Sequence, residues 1–553
     1  MWITNRLAHQ SALASLLSVL LGSGTVIAEQ KSREQRIADN EVYFSSGDEP
    51  PSMDISKQVD SVSSMWLGHI YEGLMRSNAA GAIIPGTAES VSISPDQTTW
   101  TFKIRPSAKW QDGVPVKAQD FVYSWRRLVD PAYASEYSFI AITASLLNAD
   151  AIISKKLPKE QLGVRAVDDH TLEVKLSRPV AFFDSLTSFQ VFYPLRQDIV
   201  EKFAGSFATD PASLIGNGPY RLARWQKEQS MRIEKSDTYW DARNIKIKAI
   251  ESPAMVKDGQ ANFNNFRTGG IDTTGVSTPE IIRQAQAAKL KIETFQTGCT
   301  ETLAFNVRPG RLFANKKLRH AVRAGLNRSE YVNKIVGVPG YKPAFRMVPD
   351  YMPGSQPGLT YRQEVKSPPI KDFDVPTTQR LVKEYLADTK QTQIPSFTLL
   401  FDDSVVAKKM AEYFQHSLSK LLGNEVKVET VPFKTRLQKS RDGQFDMVFF
   451  GWCPDYRDPM TFLDLLANNN ENNSSGWSSP AYNKLIEQAN SEVDKAKRVQ
   501  LFKAAEDILE DEAPVAVTDV SGGALTAAPE LKGVKRTIFG FAPDFRAAYW
   551  DHK

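Results

Sequence analysis

The chain has 553 residues, 42% hydrophobic and 24% charged, a globular composition too long for a single hydrophobic core, so two or three domains are expected and wholesale disorder is excluded. Its 68 Lys and Arg are mixed among 64 Asp and Glu for a net charge of +4, which gives no reason to expect a nucleic-acid or membrane-surface partner.

Taken in chain order, Arg6 is the only charged residue before the apolar stretch Ala12 to Ala28, and Val26-Ile27-Ala28 forms a small-residue cleavage pattern ahead of Glu29. Residues 1–28 therefore read as a signal peptide cleaved near Ala28/Glu29, and the mature chain as exported. An uncleaved membrane anchor is the alternative, against which the stretch is slightly short and broken by Gly22 and Gly24. No Cys follows it, so nothing supports a lipid anchor. Only Cys299 and Cys453 occur. In an oxidising compartment an even pair favours one disulfide, with two buried free thiols as the alternative.

Glu41 to Ser46 has strand character, and Asp60 to Arg76 places Met65, Ile70 and Leu74 at near-helical spacing. Thr98 to Arg105 alternates Trp100, Phe102 and Ile104 against polar neighbours, which predicts a half-buried strand. Lys109 to Gly113 predicts a turn, and Ala118 to Val129 a helix stopped by Asp130-Pro131. Further on, Ser396 to Phe401 reads as a strand and Ser404 to Leu422 as a helix. Its apolar face is Val406, Met410, Phe414, Leu418 and Leu421, with Gly423 as its C-cap. Strand Val426 to Val431, helix Lys434 to Arg441 and strand Asp446 to Phe450 complete a parallel α/β layer. Helices Ala481 to Asn490 and Lys495 to Glu510 cover it, and the run from Asn468 is a polar loop.

The Asp446 to Phe450 run reads as a strand buried on both faces. Ligands of α/β sheets sit outside the carboxyl ends of such strands, which puts Gly451, Trp452, Cys453 and Asp455 where a ligand belongs, with Asp455 as its charge. The competing reading makes Asp455 a turn-former in a Pro-Asp-Tyr segment.

The run WTFKIRPSAKWQDGVPVKAQDFVYSWRR, Trp100 to Arg127, closely resembles the family-5 extracellular solute-binding proteins, which include the oligopeptide and dipeptide receptors of ABC importers. GNGPYRLARW from Gly216, TYW from Thr238, GGID from Gly269 and LRHAVRAGLNRSEYVNKIV from Leu318 follow in the expected order, over nearly the whole mature chain. One departure is Lys117, where the family usually has a capping Thr. The resemblance implies an α/β fold with mixed α+β elements, in which two lobes are joined by a hinge and an extra domain makes three. The implied boundaries are 29–71, 203–298 and 525–553 for domain I, 72–202 for the extra domain II, and 299–524 for domain III. It also implies a monomeric periplasmic receptor that closes on a peptide and delivers it to an inner-membrane ABC permease complex.

GWCPDYRDPMTFL resembles the segment whose Asp ion-pairs with a peptide's α-amino group and whose Cys pairs with an upstream Cys. This implies those roles for Asp455, and for Cys453 with Cys299. Backbone groups of Gly451 and Cys453 are suited to pairing with an extended peptide. Phe433, Phe449, Tyr137 and Trp477 match or neighbour positions that line the family pocket, and Ser61 joins them as a ligand-binding position; each aromatic alone also fits ordinary core packing. Phe449 and Ala407 stand where familiar oligopeptide binders carry a basic residue and a His, which implies a ligand differing in length or at its far end. Lys342 and Arg346 are the possible carboxylate contacts, with a solvated loop as the blander reading.

Two other functions stay open. The same receptor role could serve a nickel chelate, haem, glutathione or a glycan. A secreted hydrolase is the other class, but the chain has no HExxH, GxSxG or CxxC, and His69, His170, His320, His416 and His552 show no metal-ligand spacing. A glycosidase carboxylate pair is not excluded by sequence, because its partners need not be neighbours. No metal or cofactor is expected.

Overall fold

The computed structural model describes residues 31–552 except 59, 79–80, 357, 468–469, 471, 537 and 539–541. The expected signal peptide, 1–28, lies outside the described residues, as does part of the polar loop that starts at Asn468.

Strand β1 (Glu41–Tyr43) pairs in parallel with Ala249–Ser252, and Ser230–Lys235 and Tyr220–Gln226 extend that sheet antiparallel. A second sheet is antiparallel throughout: Ala88–Ile93, β2 (Thr99–Ile104), Thr171–Lys175 and Val164–Asp168, in that order. Within β2, Trp100, Phe102 and Ile104 are buried and Lys103 is exposed, the alternation a one-sided sheet requires. Helix α1 (Ser61–Ile70) starts where the Asp60 carboxylate accepts the Ser63 N–H at 2.8 Å. Helix α2 (Ala118–Val129) has the predicted limits. Lys117 supplies no side-chain cap, but its own N–H donates to the Asp120 carboxylate at 2.9 Å, so half of the reciprocal cap survives the departure noted above.

The third sheet positions the site. Its order is β3 (Thr273–Gly275), β8 (Val515–Ala527), β4 (Glu293–Phe305), β7 (Met447–Trp452), β5 (Phe397–Asp402) and β6 (Val426–Val431), with Lys342–Pro343 also on β8. Helix α3 (Val405–Leu422), capped by the Ser404 hydroxyl and closed by Gly423 at φ 67°, covers β5 and β6, and α4 (Phe433–Arg441) leads to β7. Phe305, Leu399, Phe401, Phe414, Leu418 and Met447 meet beneath α3 in one apolar core.

Four expectations are corrected. The layer is mixed: β7 runs parallel to β5 only at Leu399–Met447 and Leu400–Val448, and antiparallel to β4 from Met447 to Trp452. Only the first half of β7 is buried, because Gly451 is exposed and Phe449, Phe450 and Trp452 are half-buried. The helix expected over Asp60 to Arg76 ends at Ile70, since Met75–Ser77 pairs with Ile83–Pro85 and buried Leu74 lies at a bend before that strand. Strand β1 likewise stops at Tyr43.

Strands β4 and β8 have 13 residues each and pair with shifts of register between Gln296 and Thr300 and between Glu301 and Thr302. Gly298 sits at the first shift with φ 88°, where a Cβ would collide with Ile538. A glycine therefore permits both the irregular backbone and the close approach of the C-terminal segment.

Candidate ligand-binding site

The outer half of β7 is an open edge. Among the described residues it has ladder partners beyond Val448 only on the β4 side, and no described residue bonds the backbone on the β5 side apart from the Phe449 carbonyl, which accepts from Arg436 Nη1 at 3.2 Å. Cys453, just past the strand, forms a disulfide with Cys299 of β4, joining residues 154 apart in sequence. The cross-link fixes the point at which the chain turns toward Asp455.

The Asp455 N–H donates to Thr461 Oγ1 at 3.2 Å, and the same hydroxyl lies 3.5 Å from Trp452 Nε1. This leaves the carboxylate, half-buried, facing open space, with no hydrogen bond or ion pair to any described residue. Burial alone pushes its pKa up to about 7. The space it faces is a cavity of about 700 Å³, walled by Tyr137, Phe139, Ile142, Trp452 and Asp464; a small pocket of about 40 Å³ with Ser64, Ser185 and Gln190 lies on its other side. The Tyr137 ring stacks on Phe139 at 5.6 Å, and its phenol pKa is pushed up by burial and then by the charge of Asp455. Asp464 is also raised to about 7, mainly by burial, although Tyr456 Oη donates to it at 3.1 Å.

The loop after β7 bridges two parts of the molecule. The Tyr456 ring stacks on Phe182 at 4.5 Å, Arg457 Nη1 donates to the Gly81 carbonyl at 2.6 Å, and its N–H donates to Ser185 Oγ at 3.1 Å. Arg498 and Asp458 form an ion pair beneath it. One wall of the cavity accordingly comes from residues 135–153 and the other from 441–472.

The structure thus brings Asp455, Trp452 and Tyr137 together, with Gly451 and Cys453 adjoining. Phe449 instead stacks on Phe401 at 4.9 Å in the core under α3, and Trp477 is buried edge-on to Tyr482 at 5.1 Å, outside the cavity walls. Phe433 is 58% exposed, with the Arg436 guanidinium 5.1 Å from its ring centre. Ala407 is buried in the first turn of α3. Lys342 and Arg346 line a separate cavity of about 270 Å³, where Arg346 Nη2 donates to the Pro368 carbonyl at 2.6 Å. Ser61 lines yet another cavity, of about 230 Å³.

Glu301 and Asp519 escaped sequence reasoning. They face each other across the β4–β8 ladder, and Glu301 lies over Gly451, where a Cβ would collide with its carboxylate. Burial, and then the charge of Asp519, raises Glu301 to about 8, and burial raises Asp519 to about 7. Their meeting depends on pairing between strands far apart in the chain, which no local pattern announces.

Residues 82–474 match the bacterial extracellular solute-binding proteins, family 5 Middle, and the chain belongs to that family. It is 34% identical over 516 residues to the periplasmic murein peptide-binding protein MppA of Escherichia coli, covering 92% of this chain and 91% of that protein. The periplasmic oligopeptide-binding protein OppA of Salmonella typhimurium is 31% identical over 509 residues, covering 91% of each. Among solved structures, Listeria monocytogenes OppA bound to peptide superposes with a TM-score of 0.77 at 31% identity, covering 93% of this chain and 99% of that one.

Proposed function

We propose that this protein is an exported receptor that captures short peptides in the cavity beside Asp455 and delivers them to an ABC permease in the membrane. One observation carries the reading: a carboxylate without a cationic partner lines a roomy cavity at the open edge of a strand. The edge offers main-chain pairing to any extended peptide, while the carboxylate offers a charge-assisted bond to an α-ammonium group. The peptide-binding and periplasmic relatives support the same role, and the apolar stretch Ala12 to Ala28 supports export.

In this reading the chain acts as a monomer and catalyses nothing. Residues 29–71, 203–298 and 525–553 form one lobe, 299–524 the other, and 72–202 an extra domain. The lobes close by bending where β4 and β8 shift register, because only the closed form lets both sides touch the ligand. Native mass spectrometry of freshly purified protein tests the function. Retained masses that fragment as a mixture of short peptides are expected; a homogeneous non-peptide ligand, or turnover of added peptides, contradicts it.

A further inference from the structure

A second charge without a counter-ion lies beside the N-terminal turn of α1. Arg536 lines the cavity of about 230 Å³ with Ser45, Ser46, Ser61, Asn262 and Thr274. Its guanidinium sits 4.9 Å from the ring centre of Phe295, has no carboxylate within ion-pair reach among the described residues, and keeps a buried Nε without an acceptor. Burial with no balancing anion lowers its pKa to about 10. Asn262 complements it: its amide donates to the Val256 carbonyl at 2.7 Å, while its buried Oδ1 has no donor. The cavity wall therefore holds a cation in want of an anion and an acceptor in want of an N–H. The last residue of a peptide presents both groups, a carboxylate and the amide N–H that precedes it.

The placement agrees with that chemistry. Ser61, Val62 and Met65 of α1 wall the Arg536 cavity, and Ser64 of the same turn walls the small pocket at Asp455. On β4, Phe295 lies under Arg536 and Cys299 is cross-linked to Cys453, two residues before Asp455. At about 3.3 Å per residue the stretch from Phe295 to Cys299, irregular at Gly298, covers at most about 13 Å, within the span of an extended peptide of about four or five residues.

We propose that Arg536 holds the carboxylate at the far end of the ligand, the role for which Phe449 and Ala407 carry no charge and for which Arg346 is engaged with Pro368. The inference rests on the peptide-receptor reading and adds to it the far-end anchor. A planar guanidinium binds a carboxylate through two parallel hydrogen bonds, so a free C-terminus is recognised and an amide is not.

The test uses calorimetry on wild type, Arg536→Gln, Arg536→Lys and Asp455→Asn, with thermal melts to establish folding. The probe is a mixture of tri- to pentapeptides with randomised side chains, prepared with free and with amidated C-termini. Wild type is expected to bind the free form about 10- to 100-fold more tightly than the amide. Arg536→Gln is expected to bind both forms equally, and Arg536→Lys to retain part of the preference. A wild type indifferent to amidation, or an Arg536→Gln protein with the full preference, overturns the assignment. If Asp455→Asn still weakens binding in that case, the receptor reading stands without it; if wild type binds no peptide in either form, the receptor reading falls first.

Discussion

Two carboxylates in this molecule stand in opposite circumstances. Asp54 is buried and holds Arg127 through two bonds, at 2.7 Å and 2.6 Å, and Ser56 Oγ accepts from the same guanidinium at 2.6 Å. Asp455 is half-buried at a cavity wall, yet no described cation or donor reaches its carboxylate, and its pKa rises to about 7. The first charge is answered from within the chain, so it serves the fold. The second is unanswered beside a cavity, and its proposed role toward a cation brought from outside rests on that contrast.

Unpairing the structural acid costs the most. Asp54→Ala leaves the Arg127 guanidinium buried without its anion and is expected to cost about 3–5 kcal/mol in urea unfolding. Asp455→Asn removes a charge that the folded chain does not pair and is expected to leave stability unchanged or slightly higher. Equal destabilisation by the two substitutions would contradict the distinction. Replacing Cys299 and Cys453 together by Ser is expected to cost about 2–4 kcal/mol, because the bridge closes a long loop in the unfolded chain. A protein whose melting is unaffected by reductant would count against a contribution from the bridge.

A smaller effect is the dependence of binding on pH. Ammonium binding needs Asp455 ionised, and with a free-state pKa of about 7 the group must lose a proton to bind as pH falls below that value. Affinity for a free-amine peptide is therefore expected to be highest near neutrality and to fall by up to about tenfold per pH unit below about 7. Asp464, raised to about 7 on the same cavity, adds to the slope, so Asp455→Asn should flatten the profile without removing it. Titration calorimetry between pH 5 and pH 8, about the range spanning this transition, reads the slope. An affinity independent of pH across that range would show that the carboxylate is ionised throughout.

Much of this was legible locally. Helix α2 keeps its predicted limits because Asp130-Pro131 stops it, and α3 because Ser404 and Gly423 mark its ends in the sequence itself. The end of β7 was legible too, since a short apolar run ending at Gly451 marks the end of a strand. What depends on distant pairing was not. The antiparallel β4 and β8 turn the expected parallel layer into a mixed sheet, and they bring Glu301 over Gly451 from another part of the chain. Trp477 and Phe449 went to the core because an aromatic near a site in sequence packs wherever apolar surface is available. Arg536 was silent too: in sequence it is one basic residue in a loop, and only the fold shows that it has no counter-ion among the described residues.

In the proposed function, Asp455 receives the ligand's amine. Calorimetry on wild type and Asp455→Asn, each with a peptide mixture carrying free or acetylated N-termini, tests it as a cycle. In wild type, acetylation is expected to weaken binding by about 30- to 1000-fold, equivalent to about 2–4 kcal/mol. In Asp455→Asn, binding of the free-amine mixture should already be weakened by a similar factor, and acetylation should change it little further. If acetylation weakens the variant as much as wild type, or leaves wild type unaffected, the amine is not held by Asp455 and the account of this site is wrong.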